Sequence, residues 1–222
     1  MHIILNLITI ILPWHIKRFI LIKFYGYEID KTARIGFSYI FPQKLIMKSD
    51  SKVGHFNVAI HLNKMILGEN SSIGRSNWIT GFPMGTKSPC FKHDKERKSE
   101  LFLGKESAIT KNHHIDCTNR IAIGDYSTIA GYRSQFLTHS IDIYKGRQES
   151  HPIEIGDYCF ISTGVIILGG SRLPNYSVLA AGAVLNKSYT DEWKLYAGVP
   201  AVPRKDLPHE AKYFNREKGF VF

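Results

Sequence analysis

Ten histidines and three cysteines give this chain of 222 residues its groups for moving protons, holding metals or attacking electrophiles. Cys90-x-x-His93 and His114-x-x-Cys117 offer two pairs of zinc ligands, although zinc knuckles more often repeat one ligand type within a pair. His139 lies in a polar stretch between two regular blocks, with Asp142 close behind it and Asp116 further upstream. An imidazole titrating near neutrality, oriented by a carboxylate, is suited to taking a proton from a hydroxyl. Of the two carboxylates Asp116 is preferred, because His114-Ile115-Asp116 belongs to a regular block whereas Asp142 has the place of a turn cap. Cys117 and Cys159 sit in regular blocks without an adjacent basic residue, and read as small buried thiols rather than nucleophiles. Three cysteines so widely spaced suit reduced thiols of the cytosol better than a secreted disulfide framework.

The elements that must position these residues announce themselves by a repeat. Ile155, Ile161, Ile167, Leu173, Leu179 and Leu185 recur every six residues, and four positions after each of the first five comes Cys159, Val165, Ser171, Ser177 or Ala183. The same pattern runs through Leu67, Ile73 and Ile79, then Leu103, Ile109, Ile115 and Ile121, then Ile123 and Ile129, with the register slipping between blocks. Three six-residue rungs make a triangular coil, and stacked coils pair their backbones along the axis while the aliphatic ladder fills the bore. A β-sandwich would space its strands irregularly at about 8–12 residues instead. Two polar, turn-rich interruptions, 81–102 and 136–154, read as loops thrown out of the stack, and loops on a rigid scaffold are favoured places for chemistry. The expected organisation is an N-terminal extension over 1–34, a repeat body over 35–186 and a C-terminal loop and short helix over 187–222.

The N-terminal extension is apolar from Ile3 to Leu12, and Pro13 stops it at about half the roughly 20 residues needed to span a bilayer. No basic region precedes it and no small-residue cleavage site follows, so a secretory signal fits poorly. His2, Asn6 and Thr9 would share one helix face, with isoleucines and leucines on the other. The following stretch, Trp14 to Phe24, mixes aromatic, aliphatic and basic residues as interfacial segments do. Residues 1–24 therefore read as a peripheral membrane contact or, equally, as a cap on the repeat core. Lysine and arginine total 29 against 19 acidic residues, a net charge of +10 that favours anionic partners. A nucleic-acid partner is not expected, since no recognised module and no dense basic–aromatic cluster is present.

Several linked segments carry a family resemblance, from about Val53 to Lys205. Ile123-Gly124-Asp125-Tyr126-Ser127-Thr128-Ile129-Ala130 leads to Thr138-His139, then to Pro152 through Ile161, then to Ala180-Ala181-Gly182-Ala183-Val184 and Gly198-Val199-Pro200-Ala201. This order resembles the hexapeptide-repeat acyltransferases, and within them the sugar O-acetyltransferase branch that includes maltose, galactoside and capsule or colanic-acid acetyltransferases. The resemblance implies an all-β fold, a left-handed parallel β-helix, and a homotrimer with acetyl-CoA as acyl donor along the crease between subunits. It makes His139 the general base, with Asp116 as its expected orienting partner, and needs no metal. Phe160, Thr163, Ala180, Ala181, Gly182, Lys187, Arg204 and Lys205 become the expected coenzyme contacts: the small segment 180–182 admits a pantetheine arm, and Arg204 and Lys205 face phosphates. His114, Asp142 and Arg147 are the expected acceptor contacts. The branch commonly has tryptophan where Phe160 stands and glycine where Ser162 stands, so the thioester pocket departs from its relatives'. The serine acetyltransferase branch carries an Asp-His pair where this chain has Asp116-Cys117, which argues against serine as acceptor.

The function so implied is O-acetylation of a sugar hydroxyl, in surface polysaccharide synthesis, by a cytoplasmic enzyme, at the inner membrane face if the N-terminal segment meets lipid. Competing readings are an N-acyltransferase of an amino sugar nucleotide, and a non-catalytic trimeric scaffold. A zinc carbonic anhydrase on the same fold would need histidines converging across a boundary, and the spacing of His113, His114, His139 and His151 does not resemble such a set.

Overall fold

The computed structural model describes residues 2–221, with side chains from Ile4 onward, so the placement of the His2 side chain lies outside the described residues. From Glu28 the chain winds through parallel strands of two to four residues, and each coil adds one strand to each of three sheets. The first sheet runs from Glu28–Ile29 to Arg172–Leu173 in seven strands, the third from Tyr39–Phe41 to Val184–Leu185 in seven. The second runs from Arg34–Ile35 through Val178–Leu179 and Lys194–Ala197, and ends on Val202–Asp206, paired antiparallel. This is a left-handed parallel β-helix: the six-residue repeat anticipated the triangular coil, and the family resemblance its hand.

Register explains why the repeat works. Leu103 pairs between Leu67 and Ile123, Ile109 between Ile73 and Ile129, and Ile115 between Ile79 and Phe136, so each inward position stands on its equivalent in the next coil. The ladder Ile155, Ile161, Ile167, Leu173, Leu179 and Leu185 is buried throughout, and so are the small residues Cys159, Val165, Ser171, Ser177 and Ala183. Small side chains suit the turns of so narrow a triangle. Phe136 replaces an aliphatic rung one position late, after Arg133 takes a left-handed turn, which is where the six-residue spacing slips.

The boundaries differ from those read in sequence. The stack begins at Glu28–Ile29, inside the segment assigned to the extension, because Ile29 pairs with Met47 in core register. The first excursion ends at Ser99, since Glu100–Leu103 is already a rung. The second is not an irregular loop: His139–Asp142 and Arg147–Ser150 form an antiparallel hairpin. The stack also continues past 186, where Lys194–Ala197 adds one more parallel strand and Tyr196 plugs the end of the bore.

At the other end, helix α1 (His2–Ile11) and helix α2 (Trp14–Tyr25) close the stack. Leu21 is buried, Trp14, Ile22 and Tyr25 pack against the core, and the buried Lys17 donates from Nζ to the Gly36 carbonyl at 2.7 Å. Burial drops the Lys17 ammonium to about 8. Pro13 breaks the two helices apart, and Gly26 ends α2 in the left-handed conformation, with its N–H on the Ile22 carbonyl. Among the described residues no helix is long and apolar enough to cross a membrane.

Candidate active site

The hairpin springs from the corner between the third and first sheets, and its first residue is His139. One coil earlier, at the same corner, strand His114–Asp116 runs parallel to Gln135–Leu137, with Asp116 opposite Leu137. Ile115 points into the bore, so its neighbours His114 and Asp116 must point outward. That alternation brings Asp116 Oδ2 to 2.6 Å from His139 Nδ1.

The carboxylate is held from every side. Thr118 donates to Oδ1 from its N–H at 3.0 Å and its hydroxyl at 2.7 Å, while Oδ2 accepts the N–H groups of Thr138 at 3.1 Å and His139 at 3.2 Å. Burial alone would raise the Asp116 carboxyl, but the hydrogen bonds from His139 and Thr118 outweigh it and hold the group below its ordinary value. The same bond to Asp116 raises His139 above its ordinary 6.5, against an opposing pull from burial. With Nδ1–H committed to Asp116, the neutral ring carries its lone pair on Nε2. The imidazole side chain is 41% exposed, so the ring is not sealed from an incoming hydroxyl.

The first excursion supplies a wall. Phe91 is buried, and the His139 ring meets it edge to face, centroids 6.0 Å apart. Arg97, also buried, lies over the Phe91 ring at 4.6 Å and the Phe82 ring at 5.7 Å, and donates from one terminal nitrogen to the carbonyls of Phe82 and Thr118. Phe91, Arg97 and Thr118 were missed in the sequence, and Thr138 was noted there only as part of the Thr138-His139 segment. The threonines had a visible signal, a hydroxyl two residues after Asp116 and another just before His139, but a charged loop gives no sign of which of its cations turns inward.

The expected acceptor contacts divide. His114 is exposed on the same outer face as Asp116, between Trp78 and Gln135 in register. Asp142 instead caps the hairpin turn, accepting from the N–H groups of Tyr144 at 2.9 Å and Lys145 at 3.0 Å, and it does not touch His139. Arg147 is tied to Glu149, its Nε at 2.8 Å from Oε1.

Most of the expected coenzyme contacts gather elsewhere, on the second sheet and at its corner with the third. Thr163 accepts from Gly182 N–H at 3.1 Å, so the two stack on successive coils, and Gly182 takes a positive φ of 69° with open space where a Cβ would be. Ala181 beside it is exposed. Arg204 and Lys205 are exposed on the final strand, and Arg204 Nε reaches the Ala197 carbonyl at 3.4 Å. Phe160 is half-buried, its ring meeting Tyr213 of the short helix Lys212–Asn215 at 5.6 Å. Lys187 does not join this group: it lies at the corner of the third and first sheets, where its carbonyl accepts from Arg172 N–H. The small-residue strip and His139 are thus at opposite ends of the third-sheet strands, separated by about five residues, or roughly 16 Å of strand rise.

The zinc tetrad does not assemble, because Cys117 is buried in the bore, its thiol pushed well above its ordinary value, while His114 projects outward. Burial likewise lifts Cys159 to about 12. Among the described residues no cluster of three or more metal-ligating groups occurs.

No protein-family model and no curated protein matches the chain. Solved structures do. A hexapeptide-repeat-containing acetyltransferase from Vibrio cholerae is 26% identical over 64% of this chain and 73% of its own, with a TM-score of 0.52. This is the fold of the hexapeptide-repeat acetyltransferases. A structure of the Vibrio cholerae protein complexed with acetyl coenzyme A matches at 24% identity over 64% and 70% of the two chains, TM-score 0.50. A polysialic acid O-acetyltransferase shares the architecture over more of the length, 84% of this chain and 90% of its own, at 18% identity and a TM-score of 0.51. A maltose O-acetyltransferase from Clostridium difficile matches at 20% identity over 64% and 69%, TM-score 0.50. The expectation of an acyltransferase built on hexapeptide repeats is met.

Proposed function

We propose that the chain is an acetyl-CoA-dependent O-acetyltransferase of a sugar hydroxyl, in surface polysaccharide synthesis, with His139 as general base and Asp116 as its orienting partner. The observation that carries the reading is the bond from His139 Nδ1 to Asp116 Oδ2, which leaves Nε2 free on a half-exposed ring. An acceptor hydroxyl approaching Nε2 gives up its proton as its oxygen attacks the thioester carbonyl, and the imidazolium so formed is stabilised by the carboxylate. The coenzyme thiolate then leaves and is reprotonated. Deprotonating a hydroxyl is the task that needs this pair; an amine already neutral would need it less, so an N-acyltransferase is the weaker reading.

Thr163, Ala180, Ala181, Gly182, Arg204 and Lys205 are proposed to hold the donor, with Phe160 at the edge of that surface. Since one chain keeps them apart from His139, the working site is proposed to form between neighbouring copies of a homotrimer. Residues 1–24 are proposed to rest on an anionic membrane surface on the cytoplasmic side. Ile4, Leu7, Ile11, Phe19 and Phe24 are all more than half exposed, and no acidic residue precedes Glu28. The test is a screen of sugar acceptors with acetyl-CoA and a thiol readout. Acceptor-dependent release of coenzyme A, lost in His139→Ala, is expected; thiol release with no acceptor dependence, or none at all, would favour the scaffold reading.

A further inference from the structure

The first excursion buries a cation beside the base. Arg97 is 5% exposed, and its Nε has no hydrogen-bond partner. Stability alone accounts poorly for it: a slot between two phenylalanine rings would take an aliphatic side chain, whereas a buried guanidinium with an unsatisfied N–H is costly. What the guanidinium reaches is the support of the catalytic pair. One terminal nitrogen grips the Thr118 carbonyl, and the N–H and hydroxyl of Thr118 hold Asp116 Oδ1. Its face rests on Phe91, which stands edge to face with the His139 ring.

We propose that Arg97 is a positioning residue for the His139–Asp116 pair, fixing Thr118 and Phe91 around it and setting a permanent positive charge beside the imidazole. The inference rests on the proposed role of His139 and adds a control on the pH at which that base is ready. Three elements bring charged groups to this place. Strand His114–Asp116 brings Asp116, which favours imidazolium; the excursion brings Arg97, which opposes it, with Asp94 nearby and His93 bonded to Glu149; the hairpin brings Glu149, neutralised by Lys145 and Arg147. An arginine does not lose its proton in the working range, so the charge is constant. It lowers the fraction of His139 held protonated by Asp116 and so extends the active range toward lower pH.

The test follows the His139 ring by NMR in full-length protein labelled at histidine, its signals assigned by their loss in His139→Ala. In Arg97→Met and Arg97→Gln the titration of His139 should move up by roughly half a unit or more. Arg97→Lys, which keeps the charge and loses the grip on two carbonyls, should titrate as wild type yet turn over more slowly, with acetyl-CoA affinity unchanged. Arg97→Gln can still donate to a carbonyl, so it serves if Arg97→Met does not fold. A folded neutral variant whose His139 titrates as in wild type overturns the proposal, as does a lysine variant with full activity. Failure of the catalytic reading would show separately, as activity persisting in His139→Ala.

Discussion

His139 and His113 show how one residue type takes opposite parts through its surroundings. His139, open and bonded to Asp116, titrates above its ordinary 6.5, so the rate should climb with pH as the imidazolium loses its proton. His139→Ala should cost about a hundred-fold or more in turnover, within the roughly 10²–10⁴ typical of a general base, with coenzyme affinity intact. Asp116→Asn should cost less and move the rate's rise to lower pH, because it removes the partner that raised the imidazole. Asp142→Asn should be nearly silent, since Asp142 serves only its turn. Steady-state rates across pH for the three variants check each link. His113 is fully buried: its Nδ1 accepts from Ser134 N–H, and Nε2–H faces the Thr110 hydroxyl, which donates to Gly131 O. Burial pulls it down to about 4, so the folded chain refuses a proton that the unfolded chain takes at 6.5. Stability should therefore fall as pH drops from above 6.5 toward 4, by roughly 3 kcal/mol at 1.36 kcal/mol per unit. Denaturant unfolding of His113→Gln should show that loss reduced.

Among the elements, the rungs were the most legible, because a buried ladder repeats its chemistry wherever its geometry repeats. Ile155 to Leu185 could be read directly, and Asp116 could be placed on the outer face of a rung from Ile115 alone. The excursions were not legible in that way. Nothing local in Cys90 through Lys98 tells that Phe91 and Arg97 fold inward, since the carbonyls of Phe82 and Thr118 that Arg97 bonds and the His139 ring that Phe91 meets all lie outside that segment. The hairpin hid for another reason: its strands His139–Asp142 and Arg147–Ser150 hold a single apolar residue, Ile141, so no apolar alternation marks them. Of the two readings of the N-terminal segment the helices show the cap, and the proposed membrane contact rests on their opposite faces. One face of α2 seals the stack, and the outer faces of both helices leave large apolar side chains in solvent. Substitutions on the two faces should therefore separate. Leu21→Ala should cost about 2–5 kcal/mol of stability, the usual range for a buried leucine, without a specific effect on lipid. Leu7→Ser with Phe19→Ser should leave the unfolding midpoint nearly unchanged and weaken sedimentation with anionic vesicles. Equal sedimentation of the double variant and wild type would remove the membrane reading. Deleting both helices is the poorer experiment, since it uncaps the bore.

At the scale of the molecule, the distance between His139 and the proposed donor strip is the fact to be explained. Each depends on a different corner: His139 needs the hairpin corner, where an outward Asp116 is within reach, and the proposed donor strip lies at the opposite corner, where Gly182 leaves space free of side chain. A rigid β-helix cannot fold one corner onto the other, but three copies around an axis would set the hairpin corner of one chain against the strip of its neighbour. That arrangement makes a prediction no single-chain site can meet. His139→Ala destroys one half and Ala181→Trp obstructs the other, so each variant alone should be inactive. Refolded or coexpressed together in equal amounts, they should regain activity, because an interface that takes its histidine from one variant and its strip from the other is intact. Random mixing makes about a quarter of all interfaces intact, so recovery to about that fraction of wild type is expected. The mass in solution should be three times the 25.3 kDa of the chain. If the mixture stays inactive while both variants are trimeric and mixed trimers are shown to form, the two halves belong to one chain and the shared site is wrong.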